Sequence, residues 1–305
     1  LSVSKHPKKR RRRGGWGFFM TERVAAPGLR RLPPYWHEYK TRAKTRWYGR
    51  QILEVFTTEF RDRTREYYIW AIHQGLCTVN GHTVQPTYIL QNNDFLVNRV
   101  HKHEPAVTNA PVRILFRDDA MGRIVVVKPG SIPVHATGRY HHHTLVEMVK
   151  QQAQLSNLYT SNRLDRLTSG LLLFTKHKDV RGAYQSLFAE KKVHKTYQAV
   201  AEFRRLPTPL QWSSHLTKTP GEIQGRIAGG EPNAFTTLES IHPIDKAPYE
   251  KVHGPQPDLG VYTLKPQTGK THQLRLHMWQ AGVPILGDPV YPTIFPEEAE
   301  DMAVP

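Results

Sequence analysis

The segment Arg163-Leu164-Asp165-Arg166-Leu167-Thr168-Ser169-Gly170 sets one carboxylate between two arginines on a short polar turn. A carboxylate kept ionised by neighbouring cations can act as a nucleophile or a base. The same spacing also suits a surface ion-pair cluster, so charge pattern alone leaves both readings open. The turn runs into Leu171-Leu172-Leu173-Phe174, an apolar run that predicts a buried strand.

A second segment narrows the choice. Leu264-Lys265-Pro266-Gln267-Thr268-Gly269-Lys270-Thr271-His272-Gln273-Leu274-Arg275-Leu276-His277 runs from a turn into a predicted helix, with Thr271 as its expected N-cap and Leu274, Met278 and Ala281 on one face. Gly282-Val283-Pro284-Ile285-Leu286-Gly287-Asp288-Pro289 closes it. Together the two blocks resemble the RluA-type pseudouridine synthase family, whose signature pairs an H-R-L-D-x-x-T-S-G loop with T-G-R-T-H-Q-I-R and G-x-P-I-x-G-D. Ile124 to His135 is similar to the family's first catalytic strand and loop, and Lys195-Thr196-Tyr197-Gln198-Ala199-Val200 to its K-x-Y-x-A-x-V strand. Asn92 to Leu96 and Val100 to Val107 are similar to the eukaryotic branch that acts on tRNA. The likeness starts as early as Pro34-Tyr35-Trp36 and fades in 203–259 and at both ends.

The resemblance implies an isomerisation of uridine in RNA that uses no cofactor and no metal. It makes Asp165 the catalytic carboxylate, Arg275 the cation that orients it and keeps it charged, and Tyr197 the ring lying on the uracil, with Leu274 as an apolar floor. Arg163 is then the candidate for filling the space left by an extruded base, with Arg166 beside it as a further RNA contact. Asn162 stands where the family has His. Lys128 and Lys270 are expected at the rim, contacting phosphate or bracing the cleft.

Other chemistries fail on spacing. Gly269-Lys270-Thr271 would belong to a phosphate-binding P-loop only with glycine at position 264, which is Leu. His141-His142-His143 lacks a Cys or carboxylate cluster at ligand spacing and reads as a loop feature. The single cysteine, Cys77, excludes an internal disulfide and the cysteine-rich zinc site of a deaminase. No apolar run approaches the ~20 residues of a membrane span, so no membrane partner is expected.

Charge is unevenly placed along the 305 residues: fifteen Lys/Arg against Glu22 and Glu38 give residues 1–50 a net +13 of the chain's +17. Its extreme, Lys8-Lys9-Arg10-Arg11-Arg12-Arg13, has nothing apolar to bury and reads as a solvated tail, a nuclear-targeting signal or a phosphate-binding arm. Aromatics such as Trp16, Trp36 and Trp47 are interleaved with this charge. They suit either base stacking or packing against the body.

These observations predict three parts: a basic RNA-contacting arm over 1–50, a small helix-plus-hairpin RNA-binding module over 51–104, and a catalytic domain over 105–305. In the module, a helix over 66–72 ends at Gly75 and a hairpin turns at Asn80-Gly81. In the catalytic domain, strands are predicted at 112–116, 123–128, 171–176, 195–201, 234–240 and 260–265, and helices at 143–154, 178–191 and 272–281. Residues 203–259, rich in Pro, Gly and His, read as long connections and surface insertions. The fold class is α+β, and the resemblance implies a mixed, mainly antiparallel sheet with a central cleft. The expected partner is tRNA or the rRNA of a ribosomal large-subunit precursor, with ribonucleoprotein partners. A competing reading from another class is an RNA-binding assembly factor that keeps the fold while catalysis is secondary or lost. The arm and a start at Leu1 favour a mitochondrial location over a nuclear or cytoplasmic one.

Overall fold

The computed structural model describes residues 28–60, 63–219 and 224–291, and the chain divides into two compact units, 1–111 and 112–305. In the first unit, β1 (Leu29–Arg30) is followed by β2 (Tyr35–Arg42), a 3-10 turn at Thr45–Trp47, α1 (Ile52–Val55), which continues as a π-helical turn, and α2 (Arg65–His73). Then come β3 (Cys77–Val79), β4 (His82–Thr83), β5 (Phe95–Lys102) and β6 (Val107–Thr108). Strands β2, β5, β3 and β4 form one antiparallel sheet in that order, and β1 pairs with β6.

Local chemistry explains these elements. Thr64 caps α2 by accepting the Tyr67 N–H, and Asn80 (φ 52°) with Gly81 (φ 82°) supplies the two positive-φ residues that a tight hairpin between β3 and β4 demands. The core is Trp47, Ile52, Val55, Phe56, Tyr68, Ala71, Ile72, Cys77, Val79, Leu90 and Leu96. Residues 35–48, counted in the sequence analysis with the arm, therefore share the sheet and core of this unit. The basic run Lys8 to Arg13 lies outside the described residues.

The second unit opens with β7 (Arg113–Asp118) and β8 (Arg123–Lys128), then α3 (Leu145–Ala153), β9 (Tyr159–Thr160), β10 (Gly170–Thr175) and α4 (Lys178–Ala189). Strand order β7-β8-β10-β9 is antiparallel throughout. Ile124 and Val126 face Phe174 and Leu172 across β8 and β10, all four buried, as alternation on a half-buried sheet requires. Thr144 caps helix α3 by accepting the Glu147 N–H at 3.4 Å.

The chain continues as β11 (Tyr197–Glu202), β12 (Leu210–Thr217), β13 (Arg226–Ala228), β14 (Ala234–Ile244), α5 (Ala247–His253), β15 (Leu259–Pro266) and α6 (Gln273–Gln280). The second sheet of this unit, β11-β15-β14-β12-β13, is again antiparallel. Its core of Ala199, Ala201, Leu238, Tyr262, Leu264, Met278 and Val283 sits between the sheet and α6. Residues 203–259 are thus not mainly connections: β12, β13, β14 and α5 lie there. Trp212 packs against this core and Ala234 is buried in the neighbouring cluster, which is why the polar-rich stretch is structured.

Candidate active site

Asp165 lies on the loop joining β9 to β10, and the loop is fixed from below. Its carbonyl accepts the Thr168 N–H at 3.2 Å, closing a tight turn. Leu164 is buried as an anchor. Gly170 takes φ 136°, a conformation L side chains rarely adopt, where the turn enters β10.

Lys128, at the end of β8, is wholly buried, and its ammonium donates to the carbonyls of Pro129 (3.0 Å), Ile132 (2.7 Å) and Arg166 (2.9 Å). Desolvation pushes its pKa down to about 8. Of the two expected roles, contact with phosphate and bracing of the cleft, zero exposure rules out the first in this structure and the three hydrogen bonds fit the second. It ties the loop that follows β8 to the β9–β10 loop, one residue beyond Asp165. Gly130 makes the close approach possible, because a Cβ there would stand 3.0 Å from the Leu167 carbonyl oxygen.

Arg275 projects from the first turn of α6. Its Nε and Nη2 donate to the two oxygens of Asp288 at 2.6 and 2.7 Å, while Nη1 faces Asp165 Oδ2 at 3.4 Å. Asp288 also accepts the backbone N–H groups of Val290 (2.9 Å) and Tyr291 (3.1 Å). Burial works against the charges of Arg275 and Asp288, but their bidentate pair wins: the arginine pKa is raised and the carboxyl pKa lowered.

His272 approaches the same carboxylate oxygen, with Nε2 at 3.8 Å. It sits at φ 57° as the residue preceding α6, so the expected cap at Thr271 is displaced by one position, and its side chain makes no capping hydrogen bond. Gln273, the first helical residue, instead fixes the turn before the helix by accepting the Lys270 N–H at 3.1 Å. The His272 ring meets the Tyr291 hydroxyl at 2.9 Å, and that hydroxyl also bonds Gly225. Burial lowers the His272 pKa, with Asp165 pulling the other way. An imidazole whose pKa burial lowers and a fixed guanidinium therefore face the same Asp165 oxygen.

Tyr197 starts β11 opposite Leu264 and is half-buried. Its phenol pKa is raised by burial and then by the Asp165 charge, so the ring stands neutral beside the carboxylate. Leu274 and Tyr197 pack against the same core cluster. Lys195 donates to the Thr268 carbonyl at 3.1 Å, tying the start of β11 to the turn before α6. Arg163, Arg166 and Lys270 are exposed, with the Arg166 guanidinium 6.0 Å over the Tyr140 ring. Asp165, Arg275 and Tyr197 thus lie together, with Leu274 packed on the same core cluster as Tyr197, and the exposed cations sit on the loops that carry Asp165 and lead into α6. Sequence reasoning quoted His272 and Asp288 inside their motifs without giving either a role. A carboxylate thirteen positions beyond Arg275, across a Gly-Asp turn, was the available signal for Asp288.

A separate cavity of about 640 Å³ is lined by Met121, Val180, Ala183, Tyr184 and Leu187, away from Asp165, Tyr197 and Arg275. Among the described residues, no group of three or more His, Cys, Asp or Glu could hold a metal ion. Nor is any helix there long and apolar enough to cross a membrane.

The fold defined by these sheets is that of a pseudouridylate synthase: the chain superposes on human RNA pseudouridylate synthase domain containing 1 with a TM-score of 0.50 and 24% identity, over 63% of this chain and 73% of that one. The model of the RNA pseudouridylate synthase family matches residues 123–280, which include Asp165, Tyr197 and Arg275. The chain belongs to that family. It is 36% identical over 295 residues to human pseudouridylate synthase RPUSD2, covering 94% of this chain and 51% of that one. To the mitochondrial tRNA pseudouridine(32) synthase of Saccharomyces cerevisiae it is 33% identical over 274 residues, covering 86% and 55%. The chain therefore spans about half the length of these relatives.

Proposed function

We propose that the chain is an RNA pseudouridine synthase that isomerises a uridine in structured RNA. The observation that carries this is the Arg275 guanidinium shared between Asp288 and Asp165, which leaves one carboxylate oriented, partly exposed and paired on a single edge. In the reaction the bond from uracil N1 to ribose C1′ breaks, the base turns, and C5 bonds to C1′. The C5 proton departs and N1 gains one, so atoms balance without a redox partner.

Asp165 is the group that acts, by attack on the sugar, attack on the base, or promotion of proton loss from the ribose. Tyr197 and Leu274 clasp the uracil, and the raised phenol pKa keeps Tyr197 in its neutral, stacking form. Extruding the base costs a few kcal/mol, and exposed Arg163 fills the gap it leaves. Arg166, Lys270 and the basic run Lys8 to Arg13 contact phosphates.

For the substrate we take tRNA, supported by the names of two yeast relatives, the mitochondrial tRNA pseudouridine(32) synthase and the tRNA pseudouridine(31) synthase. The first of these also supports a mitochondrial location. A second reading, residence on a ribosomal large-subunit precursor as an assembly factor, draws on the composition of residues 1–50. The test incubates the chain with unmodified tRNA and large-subunit rRNA transcripts and maps pseudouridine by carbodiimide-dependent primer stops. Stops in tRNA support the reading. Stops in rRNA alone move the substrate to the second reading, and none in either removes the enzymatic one.

A further inference from the structure

We propose that the outer face of β2 and β5 in the first unit docks a single-stranded segment of RNA. The choice of RNA as partner rests on the enzymatic reading above; the surface itself rests on geometry. Trp36, Glu38, Lys40 and Arg42 alternate onto one side of β2, and their cross-strand partners on β5 are His101, Arg99, Val97 and Phe95. Directly paired residues share a face. The opposite side of β5 carries Leu96, Val100 and Lys102, all buried.

Two large rings stand in solvent on this outer face, Trp36 at 50% exposure and Phe95 at 37%. Each has a cation over it: the Arg99 guanidinium lies 4.8 Å from the Trp36 ring centre and that of Arg42 lies 5.9 Å from Phe95. The His101 ring adds a second surface 5.1 Å from Trp36. Glu38 is the one acid among these eight positions, and Lys40 already engages it at 2.9 Å. The net sign is positive.

Two aromatic stations, one near each end of the face and each with a cation beside it, suit an unpaired chain, which offers base faces and phosphates together. A duplex offers phosphates but hides its base faces, and an acidic peptide offers charge without rings. At about 3.3 Å per residue, Trp36 and Arg42 lie on the order of 20 Å apart. That span accommodates several nucleotides, within the range of about 4–16 covered by a single-strand-binding module. The alternative is that Lys40, Arg42 and Glu38 only blunt an open sheet edge, since β2 ends its sheet.

The test uses the full chain and a short oligouridylate carrying 5-iodouridine. Irradiation and peptide mapping should place cross-links on Trp36 or Phe95, suppressed by unlabelled single strand and not by duplex. Trp36→Ala should weaken single-strand binding roughly tenfold with an unchanged salt slope. Arg99→Gln should flatten that slope by about 0.7. Both side chains are exposed, so the core is untouched, and unchanged melting of each variant checks it. Cross-links that map elsewhere, with both variants binding as wild type, overturn the proposal. Binding is read without turnover: cross-links on this face in a chain that isomerises nothing would keep the docking surface and remove the enzymatic reading.

Discussion

Asp288 grips the Arg275 guanidinium along one edge, through Nε and Nη2 at 2.6 and 2.7 Å, and thereby turns Nη1 toward Asp165. The arginine's position is set by a buried partner rather than by the carboxylate it serves: Asp288 is 4% exposed and Asp165 29%. Backbone N–H groups hold Asp288 in turn. The order of restraint runs from backbone to Asp288 to Arg275 to Asp165.

Asp288→Asn should therefore slow isomerisation while RNA affinity stays within a few fold. A lost charge-assisted pair is worth about 1.5–3 kcal/mol, which corresponds to a rate loss of roughly ten- to a hundredfold. Single-turnover kinetics at saturating RNA measure it. An unchanged rate would mean that α6 alone positions Arg275.

Lys128→Met should lower both stability and activity, because three carbonyls, that of Ile132 buried, lose their donor at once. The expected cost is about 3 kcal/mol in urea denaturation. Activity should fall further than unfolding explains, since the Arg166 carbonyl beside Asp165 is one of the three. Loss of stability with full activity in the remaining folded protein would separate the clamp from the site.

His277 on α6 is buried against Trp212 with neither ring nitrogen hydrogen-bonded, and burial lowers its pKa to about 4. The unfolded chain, with an ordinary histidine near pH 6.5, binds the extra proton first on acidification. Stability contributed by the neutral ring is thus complete above about pH 6.5 and lost as pH falls toward 4, by about 3 kcal/mol in all. His277→Leu should remove that part of the acid sensitivity, visible as a smaller change in the urea midpoint between pH 7 and 4.5.

The legible parts of the fold were those where pattern and burial agree. Strand β8 alternates strictly between half-buried and buried positions, and α4 shows a clear apolar periodicity, so both were readable close to their true ends. Strand β2 was not, because its outward residues are charged or aromatic and solvent-facing, which in sequence looks like an arm. Strand β12, with Trp212 and buried Ser214 and Leu216 among polar neighbours, acquires its strand character only by pairing with β14 and β13. At the site, the grouping of Asp165, Arg275 and Tyr197 was legible from motifs. For Lys128 the sequence leaves phosphate contact and bracing open, because nothing local reveals that three carbonyls converge on it. His272 and Asp288 gain their meaning only when residues more than a hundred positions from Asp165 are brought against its loop.

The central claim, that Asp165 performs the isomerisation, is tested most directly by Asp165→Asn and tritium release from C5-labelled uridine in RNA. The substitution preserves size and hydrogen bonding and removes the charge. The account predicts RNA binding like that of the wild type and a rate lower by about a thousandfold or more. Turnover at roughly a tenth of the wild-type rate or above would contradict it.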